Sequence, residues 1–208
     1  MSTVLIAGSG VAAVEAVLAL RLLANRRLEI DLLAPAHALE HRPASVATPF
    51  GLGAPPPLDL HELARRYDVT LVAGELAGVD VEAGRAHLAT GDERGFLPTD
   101  AHGRVAPGVL AAGDATDFPI KQGGLATQQA DAAAASIAGR PQPFKPVLRG
   151  LLLTGGAPLY LRAEGATCQV SWHPLWAPPG KVAGRYLAPY LSTARPVALG
   201  DEPLVDRI

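Results

Sequence analysis

The chain has 208 residues, with 18 Lys and Arg against 20 Asp and Glu for a formal charge of −2, and 49% of it is hydrophobic with 18% charged. That composition supplies a buried core and excludes a disordered or fibrous chain, while the near-neutral balance argues against binding nucleic acid through its phosphates. One cysteine, Cys168, and six scattered histidines give no disulfide framework, no zinc spacing and no metal site.

The run Thr3 to Ala7 stops at Gly8, after which Val11, Val14, Leu18 and Leu22 recur at helical spacing, so the chain opens as strand, glycine turn and helix. The apolar N-terminus is broken by glycines and by Glu15, which predicts neither a signal peptide nor a membrane span and places the protein in the cytoplasm. Leu28 to Leu33 is a second strand, completing a right-handed β-α-β unit with parallel strands. Prolines and glycines between 35 and 57 predict a long ordered loop. Asp59 and Glu62 form a capping box for a short helix with Leu60, Leu63, Ala64 and Tyr67 on its apolar face.

Val69 to Ala73 reads as a third strand, and Leu76 to Val81 with Arg85 to Ala89 as an antiparallel hairpin over the parallel sheet. Val105 to Ala112 reads as a buried strand ending at Gly113 and Asp114. Leu125 to Ala138 is an alanine-rich helix terminated by Gly139 and Pro141. The tail carries a hairpin about Gly155 and Gly156, then a segment rich in Trp, Pro and Tyr. Trp172, Trp176, Tyr186 and Tyr190 there suit core packing, an apolar lid or a dimer face.

Two constellations carry chemistry. Gly8-Ser9-Gly10-Val11-Ala12-Ala13 is a GxGxxA turn between strand and helix, where the glycines let the backbone approach a ligand and the helix N-terminus offers amides to a pyrophosphate. The acid that usually meets a ribose at the end of the second strand is missing from Leu32-Leu33-Ala34-Pro35. The second constellation is Gly113-Asp114, with Asp114 at the carboxyl edge of its strand, followed by Lys121-Gln122-Gly123-Gly124 at the start of the long helix. Asp114 suits sugar hydroxyls or a turn cap, and the helix start suits negative charge on a bound ring.

Together the segments 8–15 and 111–126 resemble the FAD-binding halves of the pyridine nucleotide-disulfide oxidoreductase superfamily, nearest to the branch of type II NADH dehydrogenases and sulfide:quinone oxidoreductases. The resemblance implies an α/β, Rossmann-like (glutathione-reductase-type) FAD-binding domain over 1–146. It has a parallel central sheet with an antiparallel β-meander over it, and a C-terminal hairpin and extension over 147–208. It implies that Gly8, Gly10 and Ala13 contact the FAD pyrophosphate, with Val11 and Ala12 in the same turn and Ala34 at the end of the second strand. It further implies that Asp114, beside Gly113, meets the ribityl hydroxyls and that Lys121, Gln122, Gly123, Gly124 and Leu125 line the flavin pyrimidine edge. His41-Arg42-Pro43 matches an aromatic-Arg-Pro loop near the isoalloxazine, and Thr90-Gly91 an element that closes the FAD half.

The two halves join near 91–95, where the family inserts a nicotinamide-binding domain. Here that insert is missing, with no second GxGxxG and no redox cysteine pair, and lone Cys168 reads as a buried small residue. Glu15 suits flavin-loop contact or dipole compensation, and Gln128 and Gln129 suit a polar helix face or a quinone pocket. The expected function is a non-covalent FAD flavoprotein of oxidoreductase type with an unidentified small-molecule donor or acceptor. The alternative is a truncated, non-catalytic FAD scaffold that forms a homodimer through the exposed former domain interface. A single-domain nicotinamide dehydrogenase fits less well, for want of the strand-2 acid and of a Tyr-x-x-x-Lys pair.

Overall fold

The computed structural model describes residues 2–39, 57–76, 78–83, 95–182 and 184–194. Strand β1 (Ser2–Ala7) leads through Gly8 into helix α1 (Val11–Ala24), and a short 3-10 turn over Asn25–Arg27 returns the chain as β2 (Leu28–Ala34). β1 and β2 pair in parallel, with Val4 opposite Ile30 and Ile6 opposite Leu32, as the β-α-β reading predicts. β5 (Thr70–Ala73) adds to the far side of β2, also in parallel, giving the order β1-β2-β5.

Helix α1 is apolar on more than the predicted face. Ala13, Val14, Val17, Leu18, Leu20 and Ala24 are all buried, whereas Leu22 is 71% exposed. The reason is placement: α1 packs closely on the long helix α3 (Gly123–Ile137) as well as against β1 and β2, and alanines on both helices allow the close approach.

β3 (Ala38–Leu39) and β4 (Leu58–Asp59) bracket most of the predicted loop, of which residues 40–56 lie outside the described residues. Asp59 then caps α2 (Leu60–Tyr67), its Oδ1 accepting from the amides of His61 at 2.8 Å and Glu62 at 3.4 Å, and Leu60 and Leu63 are fully buried. Asp59→Ala is expected to lower unfolding stability by about 1 kcal/mol, read from the midpoint of a denaturant titration.

Two expectations need correction, and a third, the hairpin over 76–89, falls in part outside the described residues. Among the described residues of 76–83 no strand forms beyond a lone bridge at Asp80, followed by a turn, and the predicted return arm 85–89 lies outside the described residues. The run Val105 to Ala112 is not one strand: Pro107 and Gly108, the latter at φ +74°, fold it into a two-stranded hairpin of β6 (Arg104–Ala106) and β7 (Val109–Leu110). Proline has no amide to donate and glycine takes the left-handed turn position, so the run pairs with itself instead of joining the parallel sheet. Gly113 and Asp114 accordingly sit in a 3-10 turn over Gly113–Ala115.

An antiparallel meander lies in the tail. β8 (Val147–Leu152), β9 (Leu159–Glu164) and β10 (Thr167–Ser171) form one sheet in the order β10-β9-β8, so the predicted hairpin gains a third strand through a turn at Gly165, φ +55°. Cys168 is on β10 and exposed, not buried. Trp176 packs edge-on against Tyr160 at 5.1 Å and Tyr190 is buried near Tyr67 at 5.8 Å, while Trp172 remains exposed. The chain closes its described part with α4 (Leu187–Ala194). No helix among the described residues is long and apolar enough to cross a membrane.

Candidate functional site

The glycine turn forms as its spacing requires. The Gly8 amide donates to the Leu33 carbonyl at 2.8 Å, prolonging the β1–β2 ladder by one rung, and Gly8 then takes φ +130°, which an L side chain rarely adopts. Gly10 is the N-cap of α1, with φ −83°, ψ 179° and no side-chain cap. The first amides of a helix have no partner within it, so Val11, Ala12 and Ala13 present theirs at the positive end of the helix dipole.

Gly10 itself is informative. Its φ is one that any residue adopts, and a Cβ built on it would meet no atom of the described residues within 4 Å. Among the described residues neither backbone strain nor packing demands a glycine here. The space it leaves open admits close approach of a group such as a pyrophosphate.

The second constellation converges on the same place. Gly113 is buried at φ +74°, and a Cβ on it would lie 3.2 Å from the Ala12 Cβ and 3.4 Å from the Ala126 Cβ. The turn after β7 is thereby wedged between the first turn of α1 and the first turn of α3. Two hydrogen bonds from Gln129 fix it: the Gly113 amide donates to Gln129 Oε1 at 2.8 Å, and Gln129 Nε2 donates to Thr116 Oγ1 at 3.2 Å. Thr116 Oγ1 donates in turn to the Gly113 carbonyl at 2.9 Å. Asp114, next to this anchored glycine, is exposed.

Lys121 acts on the same turn. Its Nζ donates to the carbonyls of Thr116 and, at 3.3 Å, Asp114, and lies 4.1 Å from the centre of the Phe96 ring. Gln122 is the N-cap of α3. Its Nε2 donates to the Arg149 carbonyl at 2.8 Å, while its buried Oε1 has no hydrogen-bond partner among the described residues. Gly124 and Leu125 are buried in the first turn of α3, with Gly123 half-buried at its start.

At the end of β2, Ala34 is buried and its carbonyl accepts from the Gly74 amide at 3.1 Å. No acid follows it. Asp31 lies mid-strand opposite Thr70, too early to stand at the strand's carboxyl edge. Arg42, Pro43, Thr90 and Gly91 lie outside the described residues.

Three side chains do work that sequence reasoning missed. Gln129, only 6% exposed, is the buried clamp just described and not part of a solvated face. Gln128 Nε2 donates to the Val147 carbonyl at 2.9 Å and its Oε1 accepts the Val147 amide at 2.9 Å, docking the meander on α3. Glu15 is fully buried and accepts the amides of Tyr186 at 2.8 Å and Leu187 at 2.6 Å, so it caps α4 and does more than compensate the α1 dipole.

Asp131 of α3 sits within hydrogen-bonding reach of Glu15. Burial, then the Glu15 charge, push its carboxyl up to about 8, against a lowering by Arg185, and burial also raises Glu15. Both shifts favour a proton held by the pair at neutral pH, while Glu15 accepts the helix amides. Gly184 makes room for the pair, since a Cβ there would come within 2.6 Å of Glu15 Oε2.

Among the described residues no cluster of three or more His, Cys, Asp or Glu is arranged to hold a metal ion. The sequence matches no family model and no curated protein. Among solved structures the chain is similar to LpdA from Mycobacterium tuberculosis, with 20% identity over 77% of this chain and 40% of that one and a TM-score of 0.29. It is also similar to a ferredoxin reductase from Rhodopseudomonas palustris, with 16% identity over 79% of this chain and 48% of that one and a TM-score of 0.31. The chain spans less than half the length of either structure, and any cofactor has to be argued from the residues of the site.

Proposed function

We propose that the chain is an FAD-binding flavoprotein of oxidoreductase type. The observation that carries this reading is Gly10, which no strain or contact among the described residues requires to be glycine, at an uncapped helix start against which Gly113 is packed. In this reading the amides of Val11, Ala12 and Ala13 hold the pyrophosphate and the exposed Asp114 carboxylate accepts from sugar-alcohol hydroxyls. The start of α3, Gln122 to Leu125, faces the ring system with the positive end of the helix dipole. Ala34 lies at the adenosine end, where backbone groups replace the missing acid.

Bound flavin would supply hydride or single-electron chemistry; the chain's own part is to position it and to set the charge around it. Gln129, Thr116 and Lys121 do the positioning, because they hold the turn that aims Asp114. Residues 1–146 are proposed as the cofactor unit, with 147–208 packed on it through Gln128 and Gln122.

The test is reconstitution with FAD followed by gel filtration, for the wild type and for Gly10→Asn. Asparagine is a good N-cap and finds open space, so the apo-protein should keep its stability within about 1 kcal/mol, while the side chain fills the pyrophosphate cradle. The expected result is about one retained flavin per wild-type chain and none in the variant. A colourless wild type, or equal flavin in both, overturns the reading.

A further inference from the structure

A second concave site lies at the other end of α1. A groove of about 640 Å3 runs between the last turns of α1, the end of α2 and the start of α4, a volume within the range of roughly 300 to 1,000 Å3 typical of small-molecule clefts. Four guanidiniums line it, from Arg21, Arg26, Arg66 and Arg185, against one carboxylate, Asp68. In a chain of net charge −2 this is a local excess of positive charge.

Helix C-termini attract basic side chains, and Arg21 answers that need: it donates to the carbonyls of Asn25 at 3.1 Å, Leu28 at 2.7 Å, Tyr67 at 2.7 Å and Asp68. Those are dipoles, not counter-charges, so Arg21 is fixed in place without being neutralised. The other three are not engaged in that way. Arg66 lies over the rings of Tyr67 and Tyr190, at 5.9 and 5.5 Å, and Arg185 over Tyr186 at 5.5 Å. Asp131 feels Arg185 through space, but among the described residues none of the four is ion-paired to a carboxylate.

The rest of the wall is apolar or aromatic: Leu18, the strongly exposed Leu22, Tyr67 and Tyr186. Arg66 and Arg185, near tyrosine rings and with guanidiniums that make no hydrogen bond among the described residues, have N–H groups to offer a phosphate, while leucine and tyrosine faces suit a ring. We infer that this groove binds a small ring-bearing phosphate monoester. Arg21 is eleven residues beyond Gly10, about 16 Å along the helix axis, so the groove is separate from the glycine turn and the inference does not depend on flavin binding.

Calorimetric titration with phenyl phosphate, and with inorganic phosphate for comparison, tests it on the wild-type chain with and without excess FAD. The expected result is binding of phenyl phosphate that weakens with added salt, exceeds that of inorganic phosphate, and is unchanged by FAD. Arg26→Glu and Arg66→Glu, both at exposed positions, should each weaken it by about tenfold or more, and Asp68→Asn should tighten it, with circular dichroism unchanged. Absence of binding to the wild type, displacement by FAD, or wild-type affinity in both arginine variants overturns the inference. Equal affinity for the two probes overturns the ring requirement.

Discussion

Glu15→Ala should lower the stability of the protein by about 3 to 5 kcal/mol. The substitution strips two amides at the start of α4 of their acceptor, one of them on the buried Leu187, and leaves Asp131 with no partner for its proton. Chemical denaturation with tryptophan fluorescence reads the loss. A change under about 1 kcal/mol would mean that α4 is not held as described.

The same pair fixes the pH dependence. The Asp131 carboxyl, raised to about 8 in the folded chain from an ordinary 3.8, binds a proton that the unfolded chain has lost across most of that interval. The folded state then holds more protons, so the contribution of this carboxyl is full below about pH 4, declines by up to about 1.4 kcal/mol per pH unit as pH rises, and levels off above about pH 8. Asp131→Asn keeps a neutral donor toward Glu15 and removes the titration. Its stability curve should be nearly flat between about pH 5 and 8, and a wild-type slope retained in this variant would place the titration elsewhere.

Gly113→Ala carries the second large effect, about 2 to 4 kcal/mol, from a left-handed backbone position that disfavours any Cβ and from contacts at 3.2 and 3.4 Å with Ala12 and Ala126. Those neighbours belong to two helices already pressed together, so neither can retreat alone. Adding Ala12→Gly should recover the steric part and leave the backbone part, which separates the two causes in one pair of thermal melts. Flavin retention should fall in the single variant, because the turn that aims Asp114 must move.

Much of the site was legible in the sequence because its signals are local. The glycine turn, the β1-α1-β2 unit, the Asp59 cap and the span of α3 each declare themselves within about one element's length of chain. Pro107 and Gly108 were equally local but hidden, since an apolar run from Val105 to Ala112 has the composition of one strand and only the turn chemistry divides it. Glu15 was beyond reach of any window: its partners Tyr186 and Leu187 are 171 and 172 residues away along the chain. A carboxylate on the apolar side of a helix was the visible clue, and the small Gly184 that admits it was the other. Gln129 was misread for a related reason, since a glutamine looks solvated until a distant Gly113 amide is brought to it.

Gln128 and Gln122 give the meander an unusual attachment. Three side-chain-to-backbone bonds, to the carbonyls of Val147 and Arg149 and from the Val147 amide, index β8 to the helix α3. Each glutamine amide stands in for a short piece of neighbouring strand, so the sheet of 147–171 is registered by two side chains. Sliding β8 by one residue would turn its inner face outward and break every one of these bonds together. The tail is thus tied to the helix that starts at the proposed cofactor site by bonds that fix both its position and its register.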